Sequence, residues 1–223
     1  MTTILPFTSP EANLETAGGK GANLVRLTRA GFPVPRGFII STDAYREFVN
    51  ANRWLGTIQS MVENLSAEDA SALEKASAQI HAAFVVGKIP NETESAIRAA
   101  YAEFEDKPVA VRSSATAEDL PDLSFAGQQD TYLNVIGIDQ LLAAVINCWS
   151  SLWTARAIGY RIRNGIDHNN AALAVVVQEM VQSDSSGVLF TANPLKGLRS
   201  ESVIDATFGL GEALVSGQVE PDH

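Results

Sequence analysis

The sequence predicts an α+β fold in which the sheets are mainly antiparallel. Short apolar runs rich in β-branched residues indicate strands, and longer stretches with apolar residues at helical spacing indicate helices. The two kinds of segment do not alternate strictly, which argues against a parallel sheet built from repeated strand–helix–strand units. The predicted strands cover residues 37–40, 109–111, 131–135, 173–181, 187–190 and 203–204.

The N-terminal elements follow from local signals. A helix is predicted over residues 22–30, where apolar positions fall on one face and Gly31 follows as a natural stop. The strand at 37–40 comes next. Ser41 or Thr42 is then placed to cap a second helix.

Two later regions are predicted to be helical. Residues 57–105 are rich in Ala, Glu, Ser and Lys and indicate a helical insert of two or three helices, with a break at Pro90. Residues 139–163 indicate one long amphipathic helix that carries Trp149 and Trp153 four positions apart. That spacing is more typical of a core stripe than of a ligand contact.

Composition restricts the classes of function. The 223 residues suffice for one large domain or two lobes, and 16 Lys+Arg against 26 Asp+Glu give a net charge of −10. This balance argues against a nucleic-acid partner, so a polyphosphate site would be a local basic pocket helped by metal ions. We find no secretory leader pattern and no apolar run of about 20 residues, and we expect no membrane partner and a cytoplasmic location. Cys148 is predicted to be reduced and buried.

The region 109–131 carries the clearest chemical pattern. A short strand ends in Arg112, a cluster of hydroxyl residues and two acids, Glu118 and Asp119, follow, and Gly127 lies in a small flexible stretch. Arginine suits phosphate because its planar fork donates to two oxygens at once, and glycine lets backbone N–H groups approach an anion. The alternative is a surface loop with an ion pair between Arg112 and Glu118 or Asp119.

Lys20 is a second candidate phosphate ligand. It lies between two glycines at the start of the predicted helix, where an ammonium group and free N–H groups at a helix N-terminus together attract phosphate. The alternative is a solvated lysine near a turn.

These segments together resemble a known family. The motif RSSATAEDLPDLSFAGQQDTYLNV at residues 112–135 is similar to the ATP-binding domain of phosphoenolpyruvate synthase (pyruvate, water dikinase), pyruvate phosphate dikinase and rifampicin phosphotransferase. Further matching blocks occur in the same order, whereas residues 51–106 match none. The blocks are GGKGANL at 18–24, GFPVPRGF at 31–38, CWSSLW at 148–153, VQEMV at 177–181, SGVLFT at 186–191 and GLGE at 209–212.

The resemblance implies an ATP-grasp fold, in which two α+β lobes close on ATP. Residues 1–170, with the insert at 57–105, would form the first lobe, and residues 171–223 would begin an incomplete second lobe. The residues implied to contact ATP are Lys20 and Arg112 at the triphosphate, Gly127 and Thr131 along the nucleotide, and Gln178 at the adenine-binding seam between the lobes. Glu179, next to Gln178, is an additional candidate at that seam.

The resemblance also implies a reaction. In the parent enzymes the β-phosphoryl group of ATP passes to a histidine on a separate domain and then to pyruvate, with AMP and phosphate released and Mg²⁺ as cofactor. His81, His168 and His223 lack the Gly-rich Thr-Cys-His surroundings of that residue, and the chain ends before the family's metal-binding glutamate. We therefore assign no metal ligand among Glu118, Asp119, Asp205 and Glu212, although Glu212 could reach the site from its loop, and we expect no turnover by this chain alone. Rifampicin or another small acceptor, and a non-catalytic nucleotide-binding module, remain alternatives.

Overall fold

A computed structural model of the chain describes residues 2–116 and 131–223. It contains helices and antiparallel strands in one chain, which confirms the predicted α+β class. In chain order the elements are β1 (Ile4–Pro6), α1 (Leu14–Arg29), β2 (Gly37–Ile40), α2 (Thr42–Ala51), α3 (Leu55–Val62), α4 (Ala70–Val86), α5 (Asn91–Ala102), β3 (Val109–Ala115), β4 (Thr131–Val135), α6 (Ile138–Ser151), α7 (Ala155–Arg163), a short 3-10 turn (His168–Asn170), β5 (Leu173–Glu179), β6 (Ser185–Phe190), β7 (Val203–Phe208) and α8 (Glu212–Val215).

The described strands form two sheets. The larger has the order β1-β2-β5-β3-β4, and every neighbouring pair in it is antiparallel. The smaller is the antiparallel pair β6 and β7. β5 lies at the centre of the larger sheet, and its apolar residues are buried on both faces, as the unbroken apolar run at 173–177 indicates.

Two apolar clusters cover the two faces of the larger sheet. On one face the side chains of Val109, Val111, Val175 and Val177 belong to a large core that also holds residues of α2 to α6. On the other face a smaller cluster joins Ile39, Ala174 and Val176 to Ala17 and Val25 of α1. The sheet is therefore covered by several helices on one side and by α1 on the other.

The chain divides into two compact units. The first comprises residues 1–180 and the second residues 181–223. β5 belongs to the first unit because it pairs with β2 and β3 along its length. The lobe boundary predicted near Asn169 and Asn170 stays a prediction.

The helical predictions differ in outcome. The insert at 57–105 contains α3, α4 and α5, and the predicted break at Pro90 immediately precedes α5. The single helix predicted over 139–163 was wrong, because the chain leaves helical geometry at Thr154, whose hydroxyl accepts a hydrogen bond from the Ala157 N–H at 3.2 Å and begins α7. Trp149 and Trp153 are both buried, as predicted.

One stretch meets the length and composition of a membrane span. Within the part of the chain that the structure describes, residues 138–163 pass that test, but 61% of the most apolar window is buried inside the protein. Such burial is typical of a core helix pair, so the stretch is weak evidence for a membrane segment.

Candidate functional site

Strand register brings three of the predicted site residues to one sheet face. Arg112 of β3 lies directly opposite Thr131 of β4 on one side and Val176 of β5 on the other. Two positions earlier on β3, Ala110 lies opposite Gln178. Because side chains alternate between faces with a period of two, and directly opposed residues share a face, Arg112, Thr131 and Gln178 all lie on the face that α1 covers.

α1 reaches this face through a kink at a glycine. Asn13 caps the helix in a capping box with Thr16, and the helix is interrupted at Gly18, where φ is +66°. A side chain at this position would collide with the backbone carbonyl of Ser114, so only glycine permits α1 to approach β3 this closely. The second helical segment restarts at Gly19 and places Lys20 in its first turn, as the sequence predicted.

A single hydroxyl fastens the kink to the sheet. The buried Ser114 hydroxyl donates to the carbonyl oxygen of Ala17 at 2.8 Å and accepts from the N–H of Gly21 at 3.1 Å. Both backbone groups belong to the turn that the kink opens. Ser114 therefore satisfies two buried polar groups that the break at Gly18 would leave unpaired.

The ammonium group of Lys20 points to β3. Its Nζ atom donates a hydrogen bond to the carbonyl oxygen of Ser113 at 3.1 Å. Ser113 follows Arg112 in the strand, so the ammonium group lies beside the backbone that carries the guanidinium group. Lysine, arginine and the N–H groups of a helix start are residue types and groups that suit phosphate oxygens, and a phosphate site at this place stays a prediction.

Gln178 offers a different kind of contact. Its side chain is largely buried, and its Nε2 atom donates to the carbonyl oxygen of Pro35 at 3.1 Å. Among the described residues, its Oε1 atom has no hydrogen-bond donor. An amide fixed by one bond and open at its oxygen can select a ligand that carries an N–H donor.

Glu179 is placed differently from the other candidates. It lies opposite Val109, on the other sheet face, and its carboxylate forms ion pairs with Arg36 at 2.7 Å and Lys107 at 3.8 Å. The Arg36 guanidinium also lies over the ring of Phe104, 4.8 Å from its centroid. The structure does not group this carboxylate with Lys20 and Arg112, and its contact with a nucleotide remains a prediction.

The remaining candidates divide into two sets. Gly127, Glu118 and Asp119 lie outside the described residues. Asp205 contacts His223 at 2.8 Å in the second unit, and Glu212 begins α8 there. Within residues 2–116 and 131–223, no group of three or more His, Cys, Asp or Glu side chains could hold a metal ion.

Gly18 and Ser114 were not predicted as site residues. They fix the approach of α1 to β3 and with it the position of Lys20 beside the strand that carries Arg112. The glycine pair before Lys20 and the hydroxyl pair after Arg112 were visible in the sequence. Their contact across nearly a hundred positions was not, because it depends on how α1 packs on the sheet.

Comparison with known proteins identifies the family. Residues 14–223 match the model of the pyruvate phosphate dikinase AMP/ATP-binding domain. The chain belongs to this family, which confirms the resemblance drawn from its motifs.

Curated relatives of two kinds are similar over almost the whole chain. Rifampicin phosphotransferase of Streptomyces sviceus is 48% identical over 95% of this chain, which covers 25% of that protein. A probable phosphoenolpyruvate synthase of Archaeoglobus fulgidus is 48% identical over 94% of the chain and 28% of that protein. Phosphoenolpyruvate synthase of Pyrococcus furiosus is 42% identical over 92% of the chain and 30% of that protein. The chain thus spans between a quarter and a third of the length of these relatives, all of which are named as phosphate-transferring or phosphoenolpyruvate-forming enzymes.

Proposed function

We propose that this chain binds ATP on the α1-covered face of the larger sheet and is the nucleotide-binding part of a phosphoenolpyruvate synthase-like dikinase with an ATP-grasp fold. One observation carries the proposal. Strand register puts Arg112, Thr131 and Gln178 on the sheet face that α1 covers, and the Lys20 ammonium group of α1 donates to the carbonyl oxygen of Ser113 at 3.1 Å. Four residue types suited to a nucleoside triphosphate therefore converge from α1, β3, β4 and β5.

Each residue has a role that follows from its chemistry. Lys20 and Arg112 would bind the phosphate oxygens and neutralise the charge that develops during phosphoryl transfer. Thr131 and Gly127 would line the nucleotide, and Gln178 would contact the purine. Positioning and charge neutralisation dominate catalysis of this kind, so the two cations are the residues on which turnover should depend most.

The proposed reaction sends the β-phosphoryl group of ATP to a histidine and from there to pyruvate, with release of AMP and phosphate. His81 lies in α4, His168 lies in a 3-10 turn, and His223 pairs with Asp205. None has the surroundings of a phosphate-accepting histidine. We therefore place the phosphohistidine and the pyruvate site outside these 223 residues, and we expect this chain alone to show no turnover. We propose a cytoplasmic location for the protein.

Mg²⁺ is part of the proposal only as a counter-ion for the nucleotide. The acids of the described residues do not form a cluster that fits it. We assign no metal ligand in this chain and derive no step through the ion.

Two alternatives are distinguishable. The similarity to rifampicin phosphotransferases of Streptomyces favours a second acceptor, the antibiotic, because these relatives match this chain as well as the phosphoenolpyruvate synthases do. A non-catalytic nucleotide-binding module is the alternative of another class.

The first experiment tests nucleotide binding by calorimetric titration of the chain with ATP. The double variant Lys20→Ala, Arg112→Ala should lose ATP binding, and the matched double variant Lys75→Ala, Arg98→Ala, which removes one lysine and one arginine from α4 and α5, should retain it. Equal affinity in the two double variants would refute the site.

The second experiment identifies the acceptor. The whole protein that contains this chain is incubated with labelled ATP, Mg²⁺ and either pyruvate or rifampicin, and AMP is measured. AMP formation that requires pyruvate supports the dikinase, and AMP formation that requires rifampicin supports the antibiotic phosphotransferase. ATP binding without AMP formation from either acceptor identifies the binding module.

A further inference from the structure

A cavity lies on the side of the larger sheet opposite the proposed nucleotide face. It has a volume of about 180 Å³ and is lined by residues of α2, α3 and the 3-10 turn and by Trp153, which precedes α7. Val49, Ile58 and Trp153 line it and belong to the core on the sheet face opposite Arg112 and Gln178. An apolar cavity of about 150 Å³ is enough to hold a benzene ring, so this one can take a compact apolar body of that size.

Tyr45 provides an unused donor in this cavity. Its side chain is only 4% exposed, and its hydroxyl oxygen accepts a hydrogen bond from Trp153 Nε1 at 2.9 Å. Among the described residues there is no acceptor for the hydroxyl proton. A buried O–H without an acceptor is unfavourable, which indicates that a ligand or water completes the site.

His168 provides a second donor, and its neighbour fixes which nitrogen carries the proton. The Nε atom of Arg161 donates to Nδ1 of His168 at 2.9 Å. A guanidinium group can only donate, so Nδ1 must be unprotonated and the proton of the neutral ring must be on Nε2. His168 lines the cavity, and Nε2–H is the donor that this ring can offer to a ligand there.

Arg161 adds positive charge behind the cavity wall. Its side chain is 3% exposed, its guanidinium group lies 4.8 Å from the ring centroid of Trp153, and its Nη2 atom is buried with no hydrogen-bond partner in the described residues. Burial lowers the pKa of Arg161 to about 10, which still leaves it charged at neutral pH. A buried cation without a carboxylate partner favours a bound anion nearby.

Among the residues that the structure describes, the lining contains no Asp or Glu side chain. Arg46 is the charged residue of the lining, and it pairs with Asp43 at 3.0 Å. The carboxylate of Asp167, beside His168, accepts from the N–H of Asn169 at 2.9 Å. The walls thus combine an apolar floor with Tyr45, His168 and Arg46, and Arg161 lies behind them.

We propose that this cavity binds a small monocarboxylate with a compact apolar body, about the size of benzoate. The apolar body would lie against Val49, Ile58 and Trp153. The carboxylate oxygens would accept from Tyr45 and His168, and the Arg46 guanidinium group in the lining would neutralise their charge. This site lies apart from the proposed nucleotide face, so a ligand there would act as an effector and not as a competitor of ATP.

The experiment is calorimetric titration of the protein with benzoate, followed in parallel by tryptophan fluorescence because Trp153 lines the cavity. Benzyl alcohol and acetate are the comparison probes, since the first keeps the apolar body and the second keeps the carboxylate. Arg46→Gln and Tyr45→Phe should each weaken benzoate binding by about five- to tenfold. Arg98→Gln is the matched control, because Arg98 also pairs with an acid of its own helix and is similarly exposed, 45% against 44% for Arg46.

Saturable benzoate binding that exceeds both comparison probes, that weakens in Arg46→Gln and that persists in Arg112→Ala would support the proposal. Benzyl alcohol binding as well as benzoate would refute the carboxylate recognition. Loss of benzoate binding in Arg112→Ala would assign the anion to the nucleotide face and overturn the site, as would the absence of benzoate binding. If Tyr45→Phe does not fold, Arg46→Gln alone decides, since its side chain is half exposed.

Discussion

The ammonium group of Lys20 donates a hydrogen bond to the carbonyl oxygen of Ser113 at 3.1 Å, across 93 positions of sequence. This contact joins the first turn after the kink in α1 to the strand that carries Arg112. It places the ammonium group beside the backbone of β3, next to the residue that carries the guanidinium group. This contact is the reason that the proposed triphosphate site is centred on Lys20 and Arg112.

Single substitution of either cationic residue should weaken the binding of ATP far more than the binding of adenosine. Lys20→Ala and Arg112→Ala each remove a charge-assisted contact, worth about 1.5–3 kcal/mol, or roughly tenfold to a hundredfold in ATP affinity. Calorimetric titration with ATP and with adenosine measures both effects, and Lys75→Ala and Arg98→Ala are the controls. An equal loss for adenosine would show that these residues do not act on the phosphates.

Local signals predicted much of the fold. Gly31 ended the first helix and Pro90 separated two helices of the insert because their effects are confined to their own backbone. The break between α6 and α7 was missed because Thr154 fits the helical pattern of the sequence. Its hydrogen bond to the Ala157 N–H, which begins a new helix, is visible only in the structure. β1 was missed because three residues ending in a proline acquire strand geometry only through pairing with β2.

The candidate site was predictable in its residue types but not in its arrangement. Arginine after a strand and lysine between glycines suggest phosphate from their chemistry alone. Strand register and helix packing determine the ion pair between Glu179 and Arg36, the hydrogen bonds of Ser114 and the contact between Arg161 and His168. These are tertiary relationships, which no local pattern contains.

Gly18→Ala should destabilise the protein strongly. Gly18 has φ of +66° and ψ of 177°, a backbone region essentially restricted to glycine that costs about 1–3 kcal/mol for other residues, and the collision with the Ser114 carbonyl adds a further cost of about 1–3 kcal/mol. Urea unfolding monitored by circular dichroism gives the free energy of unfolding. Gly31→Ala is the matched control, because Gly31 has φ of +81° but no atom within 4 Å of an added Cβ, and it should lose only the conformational part. Equal losses in the two variants would show that α1 does not need its close approach to β3.

Ser114→Ala should reduce both stability and ATP affinity. The change leaves the Ala17 carbonyl and the Gly21 N–H buried without this partner, at a cost of about 1–3 kcal/mol, and it frees the turn that positions Lys20. Ser151→Ala is the control, since its buried hydroxyl donates to the Cys148 carbonyl three residues earlier and so joins no second element in the described part of the chain. Urea unfolding and ATP titration are measured on both variants. A loss of stability with unchanged ATP affinity would separate Ser114 from the site.

Stability should fall as the pH is lowered from about 6.5 towards 4. Burial, and then the neighbouring Arg161 charge, lower the pKa of His168 to about 4, while Asp167 acts in the opposite direction. Between this value and the ordinary value of about 6.5 the unfolded chain binds a proton that the folded protein does not, so the free energy of unfolding decreases with falling pH. We expect a loss of about 1–2 kcal/mol, because solvent near the ring screens part of the effect.

Comparison with His168→Gln isolates this contribution. The glutamine amide oxygen can still accept from Arg161 Nε but does not titrate. Urea unfolding at pH 7 and pH 4.5 should show a smaller pH-dependent loss in the variant than in the natural protein. The same loss in both proteins would assign the pH dependence to other groups.

Gln178→Ala tests whether this face also holds the purine. Gln178 lies two positions along β5 from the residue opposite Arg112, and its amide is fixed by its hydrogen bond to the Pro35 carbonyl. If the amide oxygen binds the base, its removal should weaken the binding of adenosine, AMP and ATP by a similar factor. This factor is about five- to tenfold for a neutral hydrogen bond. Titration with all three ligands gives the factors, and Gln59→Ala in α3, on the opposite side of the sheet, should leave each of them unchanged. A loss confined to ATP would place Gln178 on the phosphates, because only ATP among the three carries the triphosphate that Lys20 and Arg112 are expected to bind.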